Sequence, residues 1–329
     1  MKIVAVDESG YNGGNLLDSE RTWMSLSVVD IRDSVAEDLI KRHLPQLTSG
    51  DEVKHTRLYG CAKYDDGLVA LQREAYEVYE ASSYVINKRV ACCEAFILDC
   101  VAGVWPQFVP GSKAYCNLIF RLVELSKTNA PFFELLKSYL AFSNGGNSGE
   151  LRFLADLGRQ TDKFVQAIGA RLWQNPYALA MIDKTHTAEG LIDGMLLELI
   201  RLIDSKSKEE FMVCYDESDE IDDFARTFME QVGKPRNKGM FRWFKGLQSG
   251  KSCEHRSIQV ADVLAGGVIR FAKTVNGEEL ENECRTVYGR KMKDMLVAVK
   301  RKDALLFKFD FDGGDYQSQV LDITNFWMA

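Results

Sequence analysis

The chain has 329 residues, of which 46% are hydrophobic and 27% are charged, a composition that is ordinary for a globular protein. Its formal net charge of −7 argues against a broad basic surface for non-specific nucleic-acid binding, although it is compatible with a local basic groove. No segment approaches the roughly 18 consecutive apolar residues of a membrane span, and no secretory signal precedes the first predicted strand. We therefore expect a cytoplasmic protein, without a membrane partner, built as one large domain or two.

Eight cysteines are scattered along the chain, and no two of them form a C-x-x-C pair. Zinc ribbons, iron–sulfur clusters and thioredoxin-like chemistry therefore lack the spacing that they need. We expect most of these thiols to be reduced residues of the core.

The first ten residues carry the earliest chemical signal. Residues 3–6 form a short apolar run of the kind found in strands that are buried on both faces. Asp7 and Glu8 follow at once, and Ser9 and Gly10 predict a turn. The strand would deliver a carboxylate to the edge of a buried sheet, where open α/β sheets commonly bind ligands. Alternatively, Asp7 only caps the turn by accepting hydrogen bonds from backbone amides.

The next segments predict two further strands and two helices. Residues 22–29 alternate as a strand does and would pair with the first strand in an antiparallel hairpin. Asp33 is a suitable N-cap for a short helix that ends before Pro45. A second helix follows from about residue 65, and residues 83–90 predict a third strand.

The charged segment 49–59 allows two interpretations. It brings Glu52, Lys54, His55 and Arg57 close together. Charge clusters of this kind are usually solvated loops. In the other interpretation, Glu52 adds a carboxylate to a functional site and Lys54 contacts the substrate.

The middle of the chain predicts a helical insertion followed by a return to the sheet. Residues 92–185 are mainly helical in pattern, and they would offer a surface to a protein partner or to a second copy of the chain. A helix that runs to Asp204 then leads to a second short apolar run at residues 211–215. This run ends at Asp216 and repeats the opening pattern of a buried strand followed by Asp-Glu-Ser.

The most basic part of the chain is residues 233–256, which include Arg242 and Lys245 interleaved with aromatic residues. Basic and aromatic side chains together suit contacts to a nucleic-acid backbone and stacking on its bases. A strand with one buried aromatic face and one solvated basic face explains the same pattern equally well.

A third carboxylate falls on a largely apolar helix that begins near Ser257. Asp262 lies on the apolar side of this helix, where a lone charge is costly, so it should meet a basic residue, collect hydrogen bonds or bind a metal. Small residues such as Ala261 and Ala265 would let the helix lie close to the sheet and bring Asp262 near the strand ends. The tail, residues 276–329, predicts a helix–strand appendage.

Three aspartates, with one glutamate as a fourth candidate, therefore lie on elements that can converge at one edge of a mixed sheet: Asp7, Asp216, Asp262 and Glu52. Hard divalent cations such as Mg²⁺ and Mn²⁺ prefer carboxylate oxygens. A cluster of this kind is unstable through mutual repulsion unless cations occupy it. The sequence therefore predicts a magnesium or manganese site.

Three segments are similar to signature segments of the domain-of-unknown-function family 3800: VDESG at 6–10, VCYDES at 213–218 and IQVADVLAG at 258–266. The resemblance implies an α/β protein with a ribonuclease H-like mixed sheet flanked by helices. This domain would span residues 1–275, include the helical insertion at about 92–185, and be followed by the appendage at 276–329.

The resemblance also implies where the site lies, because the fold carries its carboxylates on the first and fourth strands and on a late helix. Asp7, Asp216 and Asp262 match the metal-ligand positions. An acidic residue from an early helix or loop is also expected, and Glu52 is the best match. Two other glutamates, Glu37 and Glu74, are alternatives.

We therefore expect a metal-dependent nuclease or phosphodiesterase that acts on DNA or RNA by a two-metal-ion mechanism. The four carboxylates would be both the metal ligands and the catalytic residues, and Lys54, Arg242 and Lys245 would bind the nucleic-acid backbone. Two alternatives are a phosphotransferase of the actin and sugar-kinase type and a non-catalytic scaffold on the same fold.

Overall fold

The computed structural model describes residues 1–11, 16–17, 22–47, 51–102, 105, 112–143, 149–174, 182, 189–217, 219–234, 239–275 and 305–307. The protein is an α/β protein in which helices cover both faces of one mixed sheet.

Within these residues the sheet has five longer strands and one short edge strand. They are β1 (Lys2–Ser9), β2 (Trp23–Val29), β3 (Ser82–Asn87), β4 (Phe211–Asp216), β5 (Phe244–Gly250) and β6 (Leu305–Phe307). The spatial order is β5-β4-β1-β2-β3-β6. Strand β2 is antiparallel to β1 and β3, whereas the β1–β4, β4–β5 and β3–β6 pairs are parallel. The predicted hairpin of the first two strands is confirmed.

The helices are α1 (Asp33–His43), α2 (His55–Leu58), α3 (Ala62–Val78), α4 (Lys88–Ile97), α5 (Lys113–Thr128), α6 (Ala130–Ser143), α7 (Gly149–Gly158), α8 (Lys163–Trp173), α9 (Glu189–Lys206), α10 (Asp219–Gly233) and α11 (Arg256–Val275). A π-helical turn, Leu98–Ala102, follows α4. In the described part of the chain, no helix combines the length and the apolar character needed to cross a bilayer.

The strands present alternate residues to the two faces of the sheet, as the two-residue repeat of a strand requires. Ala5 of β1 and Cys214 of β4 pack with α1, α3 and α11 on one face, which we call the α11 face. Val6 and Tyr215 pack on the opposite face, which α9 and α10 cover. Because both faces are covered, the apolar residues of β1 and β4 are largely buried, as their sequences predict.

Helix α11 lies close to the sheet because both surfaces carry small residues. All seven residues of β2 are buried. The Oγ of Ser25 donates a hydrogen bond to the carbonyl oxygen of Ala265 at 2.7 Å, and the Oγ atoms of Ser27 and Ser83 share another at 2.5 Å. Helix α11 packs directly on β1 and β2. The prediction that small residues bring this helix close to the sheet is confirmed.

The segment from α4 to α8 is helical and has a hydrophobic core of its own. Phe96 lies at its centre, in edge-to-face contact with Phe132 and Tyr139 at centroid distances of 6.0 and 5.4 Å. Most of the predicted end of the insertion lies outside the described residues. A separate core is consistent with an insertion that folds beside the sheet.

The predicted third strand is wrong at its end. Strand β3 ends at Asn87, whose Oδ1 accepts hydrogen bonds from the backbone N–H groups of Arg89 and Val90 at 3.0 and 3.3 Å. This is the geometry of an N-cap. Helix α4 therefore begins at Lys88, although the apolar spacing of residues 83–90 also suits a strand.

Strand β6 joins β3 in parallel, so the described piece of the predicted appendage belongs to the main sheet. The remainder of that prediction, including the helix after residue 275, lies outside the described residues.

Candidate functional site

Asp7 and Asp216 occupy neighbouring positions on two parallel strands. Strands β1 and β4 pair up to Val6 and Tyr215, so each aspartate is the next residue on its strand. Adjacent strands lie about 4.8 Å apart. Both aspartates fall on the α11 face, because each lies two residues beyond a residue that packs there, Ala5 or Cys214. The pairing register thus brings the two predicted carboxylates together.

Asp262 approaches the same strand ends from the helix above them. Helix α11 crosses β1 and β2, and the negative charge of Asp262 acts on Asp7 while that of Asp216 acts on Asp262. The Oδ2 of Asp262 accepts a hydrogen bond from the backbone N–H of His55 at 2.6 Å. The helix therefore supplies the third predicted carboxylate and also anchors the segment that carries the fourth.

Glu52 is tied to the strand ends through a serine. The Ser252 Oγ donates a hydrogen bond to Oε1 of Glu52 at 3.2 Å, and the Ser252 backbone N–H donates to Oδ1 of Asp216 at 2.8 Å. The alternative glutamates lie elsewhere, since Glu37 pairs with Lys41 on α1 and Glu74 of α3 pairs with residues of α1. Of the three glutamates considered for the fourth position, Glu52 is the one that is linked to Asp216 through Ser252.

A buried glutamine, Gln259, links the segment that carries Glu52 to the loop that carries Ser252. Gln259 of α11 is 1% exposed, and its Nε2 donates a hydrogen bond to the carbonyl oxygen of Ser252 at 2.7 Å. Its Oε1 accepts hydrogen bonds from the backbone N–H of Val53 at 3.1 Å and from Arg256 at 2.7 Å. Gln259 and Ser252 are missing from the predicted site. The sequence does contain one signal for Gln259, because a glutamine in a helix that is apolar over most of its circumference must find hydrogen-bond partners.

The segment that carries Glu52 is packed against α11. His55 is 3% exposed, and its ring stacks on Tyr59 at 5.3 Å and lies against Gly266, where any side chain would clash. Burial and the nearby positive charge of Arg270 lower the pKa of His55 to about 3, so the ring is neutral at physiological pH. The interpretation of this segment as a solvated loop is wrong for His55 and for the buried Val53.

Burial, together with neighbouring carboxylates, raises the pKa values of two carboxyl groups of the site. Burial raises the pKa of Asp7 well above its ordinary value, and the charges of Glu8, Asp262 and Asp216 raise it further. Burial also raises the pKa of Asp262, to about 6, although the hydrogen bond from His55 opposes this shift. Two carboxyl groups with raised pKa values at one sheet edge are typical of a functional site.

Two basic side chains balance part of this charge. The Lys54 Nζ lies 3.2 Å from Oε1 of Glu52, and the Arg57 guanidinium lies 3.3 Å from Oε2. Burial alone would lower the pKa of Lys54, but its hydrogen bond to Glu52 and the surrounding negative charges raise it overall. Lys54 therefore lies beside the carboxylates, and its predicted contact with a substrate stays a prediction.

Arg242 and Lys245 do not lie near the carboxylates. They sit at the start of β5, whose last residue, Gly250, pairs with Asp216. At a rise of about 3.3 Å per residue, Lys245 is roughly 16 Å from that end of the strand. Lys245 pairs with Glu210 at 2.9 Å, and Arg242 covers the ring of its neighbour Trp243 at 4.6 Å. The structure does not bring these two predicted substrate-binding residues to the site.

No protein family, curated protein or solved structure matches this chain. The assignment of the site therefore depends on the geometry and chemistry of its own residues.

The donor set suits a hard divalent cation, although the side chains are not arranged as a metal-binding group. In the described part of the chain, no three His, Cys, Asp or Glu side chains are placed to hold a metal ion. Instead, each of the four carboxylates accepts a hydrogen bond or ion pair: Asp7 from the N–H of Glu8, Asp216 from Ser252, Asp262 from His55, and Glu52 from Ser252, Lys54 and Arg57. The donors are oxygen atoms, and a cation already lies against Glu52 in the form of the Lys54 ammonium.

We expect Asp262→Asn to stabilise the metal-free protein at high pH but not at low pH. The pKa of Asp262 is about 6 in the folded protein and 3.8 in the unfolded chain. Above pH 6 the ionised carboxylate therefore destabilises the folded state, and this destabilisation is lost as the pH falls from 6 to below 3.8. The variant should be about 2–3 kcal/mol more stable than the wild type near pH 8, and this difference should fall below about 1 kcal/mol near pH 4. Urea unfolding in EDTA across this range measures the difference. A difference that is independent of pH would contradict the prediction.

Proposed function

We propose that the protein is a metal-dependent nuclease or phosphodiesterase with a ribonuclease H-like fold, acting on DNA or RNA. The observation that supports this proposal best is the arrangement of four carboxylates at one sheet edge. Asp7 and Asp216 stand side by side on parallel strands, Asp262 comes from the helix above them, and Glu52 reaches them through Ser252. Carboxylates gathered in this way repel one another, and a bound cation would relieve that repulsion.

The placement of the carboxylates supports the ribonuclease H-like part of the proposal. The resemblance implies carboxylates on the first strand, on the fourth strand and on a late helix of a mixed sheet. Asp7 lies on β1, Asp216 on β4 and Asp262 on α11, and the sheet is mixed. This agreement in order and position is stronger support than any one of the three short motifs.

The residues fit Mg²⁺ or Mn²⁺ by donor chemistry, because all four side chains offer carboxylate oxygens and a basic group already neutralises one of them. Asp7 and Asp216 would be the central ligands, and Asp262 and Glu52 would complete the set. A bound pair of divalent ions would stabilise charge on the attacking and leaving oxygens of a phosphodiester. The protein's own part is to hold these oxygens in place through Ser252, Gln259 and the N–H of His55.

Substrate contact is then assigned to the basic groups beside the carboxylates. Lys54 is about one-third exposed and next to Glu52, so it can reach a phosphate at the site. Arg242 and Lys245 are excluded from direct contact at the scissile phosphate because they lie at the far end of β5.

Cleavage assays with labelled single- and double-stranded DNA and RNA test the proposal. We expect cleavage of at least one of these substrates in Mn²⁺ or Mg²⁺ and none in EDTA. Asp216→Asn should reduce the rate by roughly a hundredfold or more, since each loss of about 1.4 kcal/mol of transition-state stabilisation is tenfold in rate. Asp38→Asn, on the exposed side of α1, is the matched control and should cleave like the wild type.

Two outcomes would contradict the proposal. One is cleavage that persists unchanged in EDTA or in Asp216→Asn. The other is the absence of cleavage for all four substrates with either metal, a result that would favour the non-catalytic scaffold.

A further inference from the structure

Glu52 is the one carboxylate of the four that carries ion pairs within the described residues. Lys54 contacts Oε1 at 3.2 Å and Arg57 contacts Oε2 at 3.3 Å, so each oxygen faces its own cation. The Ser252 Oγ donates to Oε1 as well. In this arrangement, both oxygens of Glu52 are engaged by groups of the protein itself.

Lys54 neutralises more than its direct partner. Its ammonium group interacts electrostatically with Asp216 and Asp262 in addition to Glu52. These are carboxylates that repel one another, and a cation among them relieves that repulsion. Lys54 therefore performs, from within the chain, the neutralising role that a divalent cation would perform.

The backbone around these two cations is fixed while their side chains can move. The N–H groups of Val53 and His55 are bonded to Gln259 and Asp262, and the His55 ring is buried. By contrast, the side chains of Lys54 and Arg57 are 36% and 65% exposed. Both are long enough to leave Glu52 and to point toward solvent or a ligand without any change in the backbone.

We propose that Lys54 and Arg57 are exchangeable counterions. Glu52 would exchange these two side chains for a divalent cation bound at the carboxylates, and the released Lys54 ammonium and Arg57 guanidinium groups would then bind the phosphodiester of the nucleic-acid substrate. This inference rests on the proposed function and adds a coupling to it. Metal and substrate each favour the binding of the other, because both act through the same two side chains.

The coupling predicts effects of opposite sign for one substitution. Without its ammonium group, residue 54 no longer competes with the metal, so the metal should bind more tightly. The same change removes a contact to the substrate phosphate, so the substrate should bind more weakly. A residue with a purely structural role would not produce this combination.

Calorimetric titration with Mn²⁺ alone tests the first effect. Lys54→Met should bind Mn²⁺ roughly three- to tenfold more tightly than the wild type, from the Coulomb energy of a unit charge several ångströms from the ion in a largely aqueous medium. Arg57→Met should shift the affinity in the same direction by less, because Arg57 is more exposed. Lys127→Met, which breaks an exposed pair with Glu124 in the helical insertion, is the matched control and should bind like the wild type.

Steady-state cleavage at saturating Mn²⁺ tests the second effect. Lys54→Met should raise KM for an oligonucleotide by roughly fivefold or more, as expected for the loss of a charge-assisted contact to phosphate. Lys127→Met should leave KM unchanged.

The outcomes separate this inference from the proposed function. If the wild type binds Mn²⁺ and Lys54→Met binds it equally or more weakly, the counterion exchange is wrong and the nuclease proposal stands. If neither protein binds Mn²⁺, both fail. A third outcome is that Lys54→Met binds Mn²⁺ more tightly but no nucleic acid is cleaved. The competition between Lys54 and the metal is then supported. The nuclease proposal fails, and so does the proposed binding of Lys54 and Arg57 to a substrate.

Discussion

Replacement of Asp7 with asparagine should abolish metal-dependent cleavage and, at the same time, stabilise the metal-free protein. Asp7 is 8% exposed and stands beside Asp216 at the centre of the proposed ligand set. An asparagine offers one neutral oxygen in place of a carboxylate, so the variant should lose the ion that the mechanism needs. We expect cleavage to fall by at least roughly a hundredfold.

The gain in stability follows from the burial of the carboxyl group. Burial and the charges of Glu8, Asp262 and Asp216 raise the pKa of Asp7 well above its ordinary value. At neutral pH the folded protein must either keep a buried negative charge or take up a proton, and asparagine requires neither. The free energy of unfolding should rise by about 2 kcal/mol or more in the absence of metal, the scale of an uncompensated buried charge.

Thermal unfolding with EDTA and with Mn²⁺ measures both consequences. The wild type should gain stability in Mn²⁺, by RT ln(1 + [L]/Kd), while Asp7→Asn should start higher and gain little. Asp38→Asn, an exposed change of the same type, should behave like the wild type in both conditions. An Asp7→Asn protein that is less stable than the wild type in EDTA, or equally stabilised by Mn²⁺, would show that this carboxylate is structural.

The carboxylates on the strands could be predicted because their signal is local. A short apolar run that stops at Asp7, and another that stops at Asp216, specify the strand and the acid at its end in a few residues. The helical repeat alone was sufficient to predict that Asp262 lies on the apolar side of its helix. Their meeting at one edge is not local, because it depends on the parallel pairing of β1 with β4, but the tendency of strand ends to share an edge was sufficient to predict it.

The segment around His55 shows why local composition fails for loops. Its charged residues are typical of a solvated surface, yet Val53 and His55 are buried by contacts to Gln259 and Gly266 on α11. Nothing within the segment specifies that distant helix. The charge content of a segment indicates which of its side chains can be exposed to solvent. It does not indicate which of its backbone groups form hydrogen bonds with another element.

The prediction that Arg242 and Lys245 bind the substrate fails for a different reason. A nucleic-acid groove and the solvated start of a strand have the same basic and aromatic composition. What separates them is the register of β5 against β4, which places Gly250 and not Arg242 beside Asp216. Register is set by pairing with a strand elsewhere in the chain, so the composition of residues 233–256 could not decide between the two interpretations.

Gly266→Ala should weaken metal binding and destabilise the protein, although the residue lies outside the set of carboxylates. A Cβ at this position would clash with the Cβ atom of His55 and with the Cγ and Nδ1 atoms of its ring. The ring is buried and stacked on Tyr59, so it cannot turn away without moving α2. The clash should cost about 1–3 kcal/mol in stability, the usual range for overpacking in a core.

Movement of α2 would also disturb the site. The backbone N–H of His55 would leave Oδ2 of Asp262, and the preceding residues, including Glu52 and Lys54, would shift with it. We therefore expect Mn²⁺ affinity to fall together with stability. Urea unfolding and calorimetric titration measure the two effects. Gly194→Ala, a helical glycine with open space around its Cβ position, is the matched control and should be at least as stable as the wild type.

A double substitution identifies the clash as the cause. If the His55 side chain is what the new methyl group meets, then Gly266→Ala should cost much less in a His55→Gly background, which also removes the Cβ of residue 55, than in the wild type, with a coupling energy of about 1 kcal/mol or more. Equal costs in the two backgrounds would place the strain elsewhere along α11. A Gly266→Ala protein that matches Gly194→Ala in both measurements would mean that the segment carrying Glu52 is not held by this contact, and that its position must depend on Gln259 and Asp262 alone.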